Sequence, residues 1–182
     1  MNEPLETGLI GGVEKRDIKV VEYDSDWPEK FTGQENIIRQ ALGDSALAIE
    51  HIGSTSVPGL AAKPIIDILL IVEDPGKEEL YLPQLLKAGY ELRVREPDYF
   101  EHRMVRTPDK DVHIHIYPPS APDVERYRLV RNELRQNKEL RDKYGKLKQE
   151  LASRDWQDMN EYSAAKTEVI DEIIAAAQVR LK

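Results

Sequence analysis

The 182-residue chain has no cysteine, which excludes disulfides, thiolate metal ligands and covalent chemistry resting on a thiol. The redox compartment stays open. The chain also lacks any apolar run approaching the roughly 20 residues that a membrane-spanning helix needs, and no basic segment followed by an apolar stretch opens it. A cytoplasmic protein with no membrane partner is expected. An excess of positive charge is missing too. The formal net charge is -8, which argues against general attraction to nucleic acid. Repeats and low-complexity tracts are absent, and nothing points to a particular oligomeric state. The length suits one domain.

Residues 1–14 mix Gly, Glu and Asn with few apolar side chains, too little hydrophobic surface to offset the entropy of ordering them. They are expected to be a flexible tail, with the domain over 15–182. Ile18 to Tyr23 is predicted as a short strand. Asp24-Ser25-Asp26 then offers capping oxygens ahead of Trp27-Pro28, opening a helix to about Leu42. Ala46 to Ile52 and Ile65 to Val72 are predicted strands, the second nearly all apolar and the best candidate for a central one. Glu78 to Ala88 reads as a helix made awkward by Pro83. Tyr90 to Arg95, Tyr99 to Arg106 and Val112 to Tyr117 are expected to form an antiparallel meander, the last two joined by a turn at Thr107 to Lys110. Beyond Pro118-Pro119 the pattern is helical: Asp123 to Asn137, then to Ser153, then a helix with Met159, Tyr162, Ala165, Val169, Ile173 and Ala176 on one stripe. These elements imply an α/β (α+β) fold, a mixed, mainly antiparallel sheet with helices packed on it and a C-terminal helical segment.

Polar chemistry is concentrated between Glu50 and Leu70. Gly53-Ser54-Thr55-Ser56 after a strand presents amides and hydroxyls without bulk, as a phosphate oxygen requires, though it also suits an ordinary connection. Asp67 lies within an apolar strand, where an ionised carboxylate needs a metal, a cation or several donors. It either binds such a group or hydrogen-bonds a neighbouring turn, and Lys63 is close enough in sequence to neutralise it or to reach a phosphate. His113 and His115 are two apart and so share a strand face, as a metal or proton-transfer pair or as two half-buried imidazoles. His51 and His102 fall on or beside strands and could join a cluster with Asp67. Between Arg126 and Lys148 there are nine Lys or Arg against three acids. Arg128, Arg131, Arg135 and Lys138 follow helical steps, forming a stripe that faces either an anionic ligand or water. Lys148 and Lys166 would extend a basic wall if the helices fold back over the sheet.

The run from His51-Ile52-Gly53-Ser54-Thr55-Ser56 through Pro58-Gly59-Leu60-Ala61-Ala62-Lys63-Pro64 to Asp67-Ile68 resembles the hallmark of the GrpB family. Supporting pieces run from Tyr23 and Trp27 through Gly89-Tyr90 and His113-Ile114-His115 to Tyr162-Ser163-Ala164-Ala165-Lys166. The resemblance implies a nucleotidyltransferase-type fold of the polymerase β kind. In that scheme Gly53 and Ser54 would hold a triphosphate and Asp67 would be a metal-binding carboxylate. Joined to the residue reading above, the expected contacts of a nucleotide or other small phosphate ligand are Gly53, Ser54, Thr55, Ser56, Lys63, Arg128, Arg131, Lys148 and Lys166. A divalent metal (Mg, Mn or Zn) is expected on Asp67, His113 and His115, with Asp67 and His115 catalytic in nucleotidyl transfer. One departure matters: the active pattern has a second carboxylate two residues after the first, and Leu69 stands there, leaving the two-metal arrangement incomplete. Some relatives are fused to dephospho-coenzyme A kinase, so a catalytically inactive module binding a nucleotide or coenzyme A-type ligand is the alternative.

Overall fold

A computed structural model describes residues 6–182 of the chain. Its centre is a six-stranded sheet built from β1 (Gly8–Leu9), β2 (Ala48–Ile52), β3 (Ile66–Ile71), β4 (Glu91–Glu96), β5 (His102–Arg106) and β6 (Val112–Tyr117), in the order β1-β4-β5-β6-β3-β2. Among these strands β3 and β6 run parallel and the other pairs antiparallel. The expected α+β class and mainly antiparallel sheet are therefore what the chain adopts. Its β3 is interior, flanked by β2 and β6, but the middle of the sheet belongs to the meander strands β5 and β6.

Among the described residues there are six α-helices: α1 (Trp27–Leu42), α2 (Leu82–Lys87), α3 (Pro122–Gln136), α4 (Lys138–Ala152), α5 (Met159–Ala164) and α6 (Thr167–Arg180). The sheet divides its side chains between two faces because alternate residues of a strand point oppositely. On one face Ile66, Ile68 and Leu70 of β3 join Ile114 and Ile116 of β6 and the buried Trp27, Ile38 and Leu85 of α1 and α2. That is the main core. On the other face Leu69 and Ile71 pack with Ile52, Tyr117, Ala121 and Val124 under α3. This cover extends over only part of the face, and the remainder, around Asp67, opens into a cavity.

Four expectations are corrected. Ile18 to Tyr23 forms no strand; its single sheet-like link is the bridge from Val21 to Ala62. The helix expected over Glu78 to Ala88 is a 3-10 turn at Glu78–Leu80 followed by α2, because Pro83 is tolerated only in a first turn and so forces a new start. The last expected helix is interrupted at Ala165-Lys166, between α5 and α6. Finally, residues 6–14 do not trail loosely. Leu9 pairs with Val94, Arg93 donates to the carbonyls of Ile10 and Gly12 at 2.5 and 2.7 Å, and Arg106 clasps the Glu14 carboxylate at 2.8 and 3.0 Å. Main-chain bonds and buried arginines hold this segment where hydrophobic surface could not. Residues 1–5 of the expected tail lie outside the described residues.

Candidate functional site

The parallel register of β3 and β6 places Asp67 beside His113 and Leu69 beside His115, all on the face away from the main core. His115 Nε2 donates a long hydrogen bond of 3.4 Å to Asp67 Oδ1, and His113 Nδ1 lies 3.9 Å from the same oxygen. One ligand atom from each of the three residues falls within 4.8 Å of the other two, close enough for a single ion to bridge them. Burial pushes the Asp67 carboxyl up, but the hydrogen bond from His115 and the pull of His115, His113 and Lys63 outweigh it and hold it below the ordinary carboxylate range. Burial brings His113 down to about 4 against the opposing charge of Asp67. At neutral pH the site thus offers an anionic carboxylate and a neutral imidazole, the forms that ligate metals. The far ring nitrogens, His113 Nε2 and His115 Nδ1, are buried with no protein partner among the described residues. The His115 ring is positioned by packing against Tyr127 and, at 6.0 Å, His102.

Gly53 explains how the loop reaches this group. Its backbone (φ 71°, ψ -174°) lies in a region essentially reserved for glycine, and a Cβ there would sit 2.8 Å from Asp67 Oδ2. The chain can pass directly over the carboxylate only because nothing projects from this residue. Ser54 and Thr55 follow in a 3-10 turn and line the same cavity of about 390 Å³.

Opposite the carboxylate stand three lysines. Lys63, Lys148 and Lys166 all line the cavity, brought together from the β2–β3 loop, α4 and the α5–α6 junction. Lys63 and Lys166 lie over the Tyr162 ring, 4.8 and 4.5 Å from its centre, and Lys148 lies over Tyr144 while donating to the Ala61 carbonyl. Burial depresses all three. Lys166 is brought to about 8, with the Lys63 charge adding and Asp67 opposing; Lys148 is driven well below its ordinary value, with Lys166 and Lys63 contributing. None of the three pairs with a carboxylate within 4 Å among the described residues. With Arg16, Arg93 and Arg106 also in the lining, six basic side chains face the three carboxylates of Glu14, Asp67 and Asp158, a surplus of positive charge that favours an anionic ligand.

Several expected site residues fall elsewhere. Arg128 and Arg131 do not line this cavity; they share Glu50, Arg128 at 2.5 Å and Arg131 at 2.9 Å, so one carboxylate answers part of their charge. Ser56 turns back to donate to the Gly53 carbonyl and faces the other side of the loop. Thr55 lines the cavity, but its hydroxyl is spent within the loop, donating to the Ile65 carbonyl at 3.0 Å and meeting His51 Nε2 at 2.9 Å. His51 pairs with Ile68 and therefore belongs to the core face, stacked on Phe31 at 4.9 Å. His102 stacks on Tyr117 at 4.5 Å and bonds Glu96. Neither extra histidine joins Asp67. Sequence reasoning overlooked Tyr144, Tyr162 and Arg16 as lining residues; Tyr162 gave only the packing signal of its helical stripe.

Fold and site together define a small α+β protein whose glycine loop, carboxylate, imidazole pair and lysine wall converge on one cavity. Residues 17–176 match the profile of the family described as GrpB protein, and the chain belongs to that family. It is 50% identical over 162 residues to the UPF0157 protein SCO7215 of Streptomyces coelicolor (89% of this chain, 85% of that one), and 43% identical over 178 residues to the UPF0157 protein BH1888 of Halalkalibacterium halodurans (97% and 91%). The crystal structure of GrpB from Enterococcus faecalis superposes with a TM-score of 0.77 at 36% identity, covering 90% of this chain and 99% of that one. A shorter likeness, 37% over 76 residues, links 40% of this chain to 19% of a dephospho-CoA kinase of Mycolicibacterium paratuberculosis.

Proposed function

We propose that this protein binds a divalent metal on Asp67, His113 and His115 and holds a nucleotide by its phosphates between the Gly53-Ser54 turn and Lys63, Lys148 and Lys166. The observation that carries this reading is the convergence of one carboxylate and two imidazoles, within 4.8 Å, opposite ammonium groups that lack acidic partners. Asp67, His113 and His115 would hold the metal, which would supply charge neutralisation for a phosphate, and the lysines would neutralise the remaining charge. Two imidazoles in the ligand set favour Mn²⁺ or Zn²⁺ over Mg²⁺, which prefers oxygen ligands.

Binding without turnover is favoured over nucleotidyl transfer by Leu69. Fully buried among Ile52, Ile71 and Tyr117, it supplies no second carboxylate, and the second metal of an in-line displacement has no holder at that position. The likeness to a dephospho-CoA kinase makes coenzyme A derivatives the second ligand class to test. The test is thermal unfolding with ATP, ADP or coenzyme A, each with and without Mn²⁺, Zn²⁺ or Mg²⁺. A ligand present at one hundred times its Kd adds about 2.7 kcal/mol of stability. A shift that requires metal and disappears in Asp67→Ala supports the reading; equal shifts in both proteins contradict it. Release of pyrophosphate from ATP would restore the transferase reading over simple binding.

A further inference from the structure

The loop that closes the first cavity has a second one behind it. Its volume is about 680 Å³, and it lies between α1, the β2 edge and the α3–α4 pair. Arg131, Arg135 and Arg141 enter it from the helices, while Tyr23 and Phe31 form an aromatic wall. The charge there is unbalanced. Glu50 is the carboxylate in the lining, and it is already shared by Arg131 at 2.9 Å and Arg128 at 2.5 Å. Arg135 donates from Nε to the Ser56 carbonyl at 2.9 Å, and Arg141 from one Nη to the carbonyls of Leu134 and Arg135 at 3.1 and 3.3 Å. Neither has a carboxylate within 4 Å among the described residues. Each guanidinium is thus oriented by neutral carbonyls and keeps donors to spare.

The aromatic wall is equally well fixed. Phe31 stacks on His51 with 11° between the ring planes, and Tyr23 meets Trp27 edge-on at 5.3 Å. His51 is in turn tied through Thr55 to the Ile65 carbonyl. A rigid apolar surface beside oriented guanidiniums matches a ligand with a phosphate at one end and a flat ring at the other, since arginine forks bind phosphate oxygens in pairs and rings pack on aromatic faces.

We infer that this second cavity is a binding site for a phosphate monoester carrying an aromatic ring, the phosphate seated on Arg135 and Arg141 and the ring on Tyr23 and Phe31. It is separate from the lysine-lined site, with the Gly53–Pro58 loop between them. Phenyl phosphate and inorganic phosphate titrated into the full chain, followed by calorimetry and by the arginine Nε–H resonances, test the assignment. Phenyl phosphate should bind at least tenfold more tightly than inorganic phosphate and move the Arg135 and Arg141 resonances. The affinity read from the Arg135 and Arg141 resonances, which report the second cavity alone, should fall at least tenfold when the other arginine is replaced (Arg135→Gln or Arg141→Gln) and stay unchanged in Lys166→Gln. Because Arg141 also holds the α3–α4 corner, the wild-type resonances decide the matter should that variant fail to fold. Resonances that do not move, equal affinity for the two phosphates, or an affinity that follows Lys166 would each overturn the inference.

Discussion

His51 shows how one residue can be read in the sequence yet misplaced in space. It sits in the same motif as Gly53 and Asp67, but the pleat turns it to the core face, where Phe31 covers it and Thr55 receives its Nε2. Since the Thr55 hydroxyl hydrogen is committed to the Ile65 carbonyl, Nε2 must be the donor, which fixes a neutral tautomer. Burial brings its pKa from 6.5 down to about 4, the Asp67 charge opposing. The unfolded chain therefore binds more protons than the folded one between those values. The contribution of His51 is complete above pH 6.5 and is lost as pH falls toward 4, by up to about 3 kcal/mol. Denaturant unfolding of wild type and His51→Gln over this range should show a flatter profile for the variant. Parallel profiles would mean that the imidazole is not held neutral.

The β2–β3 connection is the element on which the first cavity depends. Its glycines can be separated by experiment, because Gly53 and Gly59 both have positive φ (71° and 81°) but meet different surroundings. A Cβ at Gly53 would strike Asp67, whereas at Gly59 the nearest atom is Arg141 Nε at 3.8 Å. Both alanine variants should lose roughly 1–3 kcal/mol through backbone strain. Only Gly53→Ala should also lose metal binding, measurable by titration with Mn²⁺. Equal metal affinity in both variants would show that the loop does not press on the carboxylate. Periodicity and turn chemistry made β2, β3, this loop and the meander legible in the sequence, because each is specified within a few residues, whereas β1 lay in the expected tail and the strand expected at Ile18 to Tyr23 did not form. Periodicity within one segment could not show that Arg128 and Arg131 would be taken up by Glu50, about 80 residues earlier. Nor could it show that buried arginines would anchor residues 6–14 to strands β4 and β5.

At the scale of the whole molecule, the C-terminal helices complete the site by bringing Lys148, Tyr162 and Lys166 over the sheet. They are fastened from behind. Arg180 of α6 clasps the buried Glu133 of α3 through two bonds, 2.8 and 3.0 Å, and Ile173 packs with Leu134 and Tyr144. Removing Arg180 would leave the Glu133 carboxylate with the Asn137 amide as its side-chain partner. Arg180→Ala should accordingly hasten amide exchange in α6 while leaving β3 and β6 protected. Uniform acceleration across the sheet would show that the helices and sheet unfold as one unit.

The first cavity is a metal site only if Asp67, His113 and His115 share an ion. Anomalous diffraction from crystals soaked in Mn²⁺ addresses this most directly. A peak in contact with all three side chains, absent in Asp67→Ala, is the expected result. Peaks confined to surface carboxylates, with nothing between the aspartate and the two imidazoles, would contradict it.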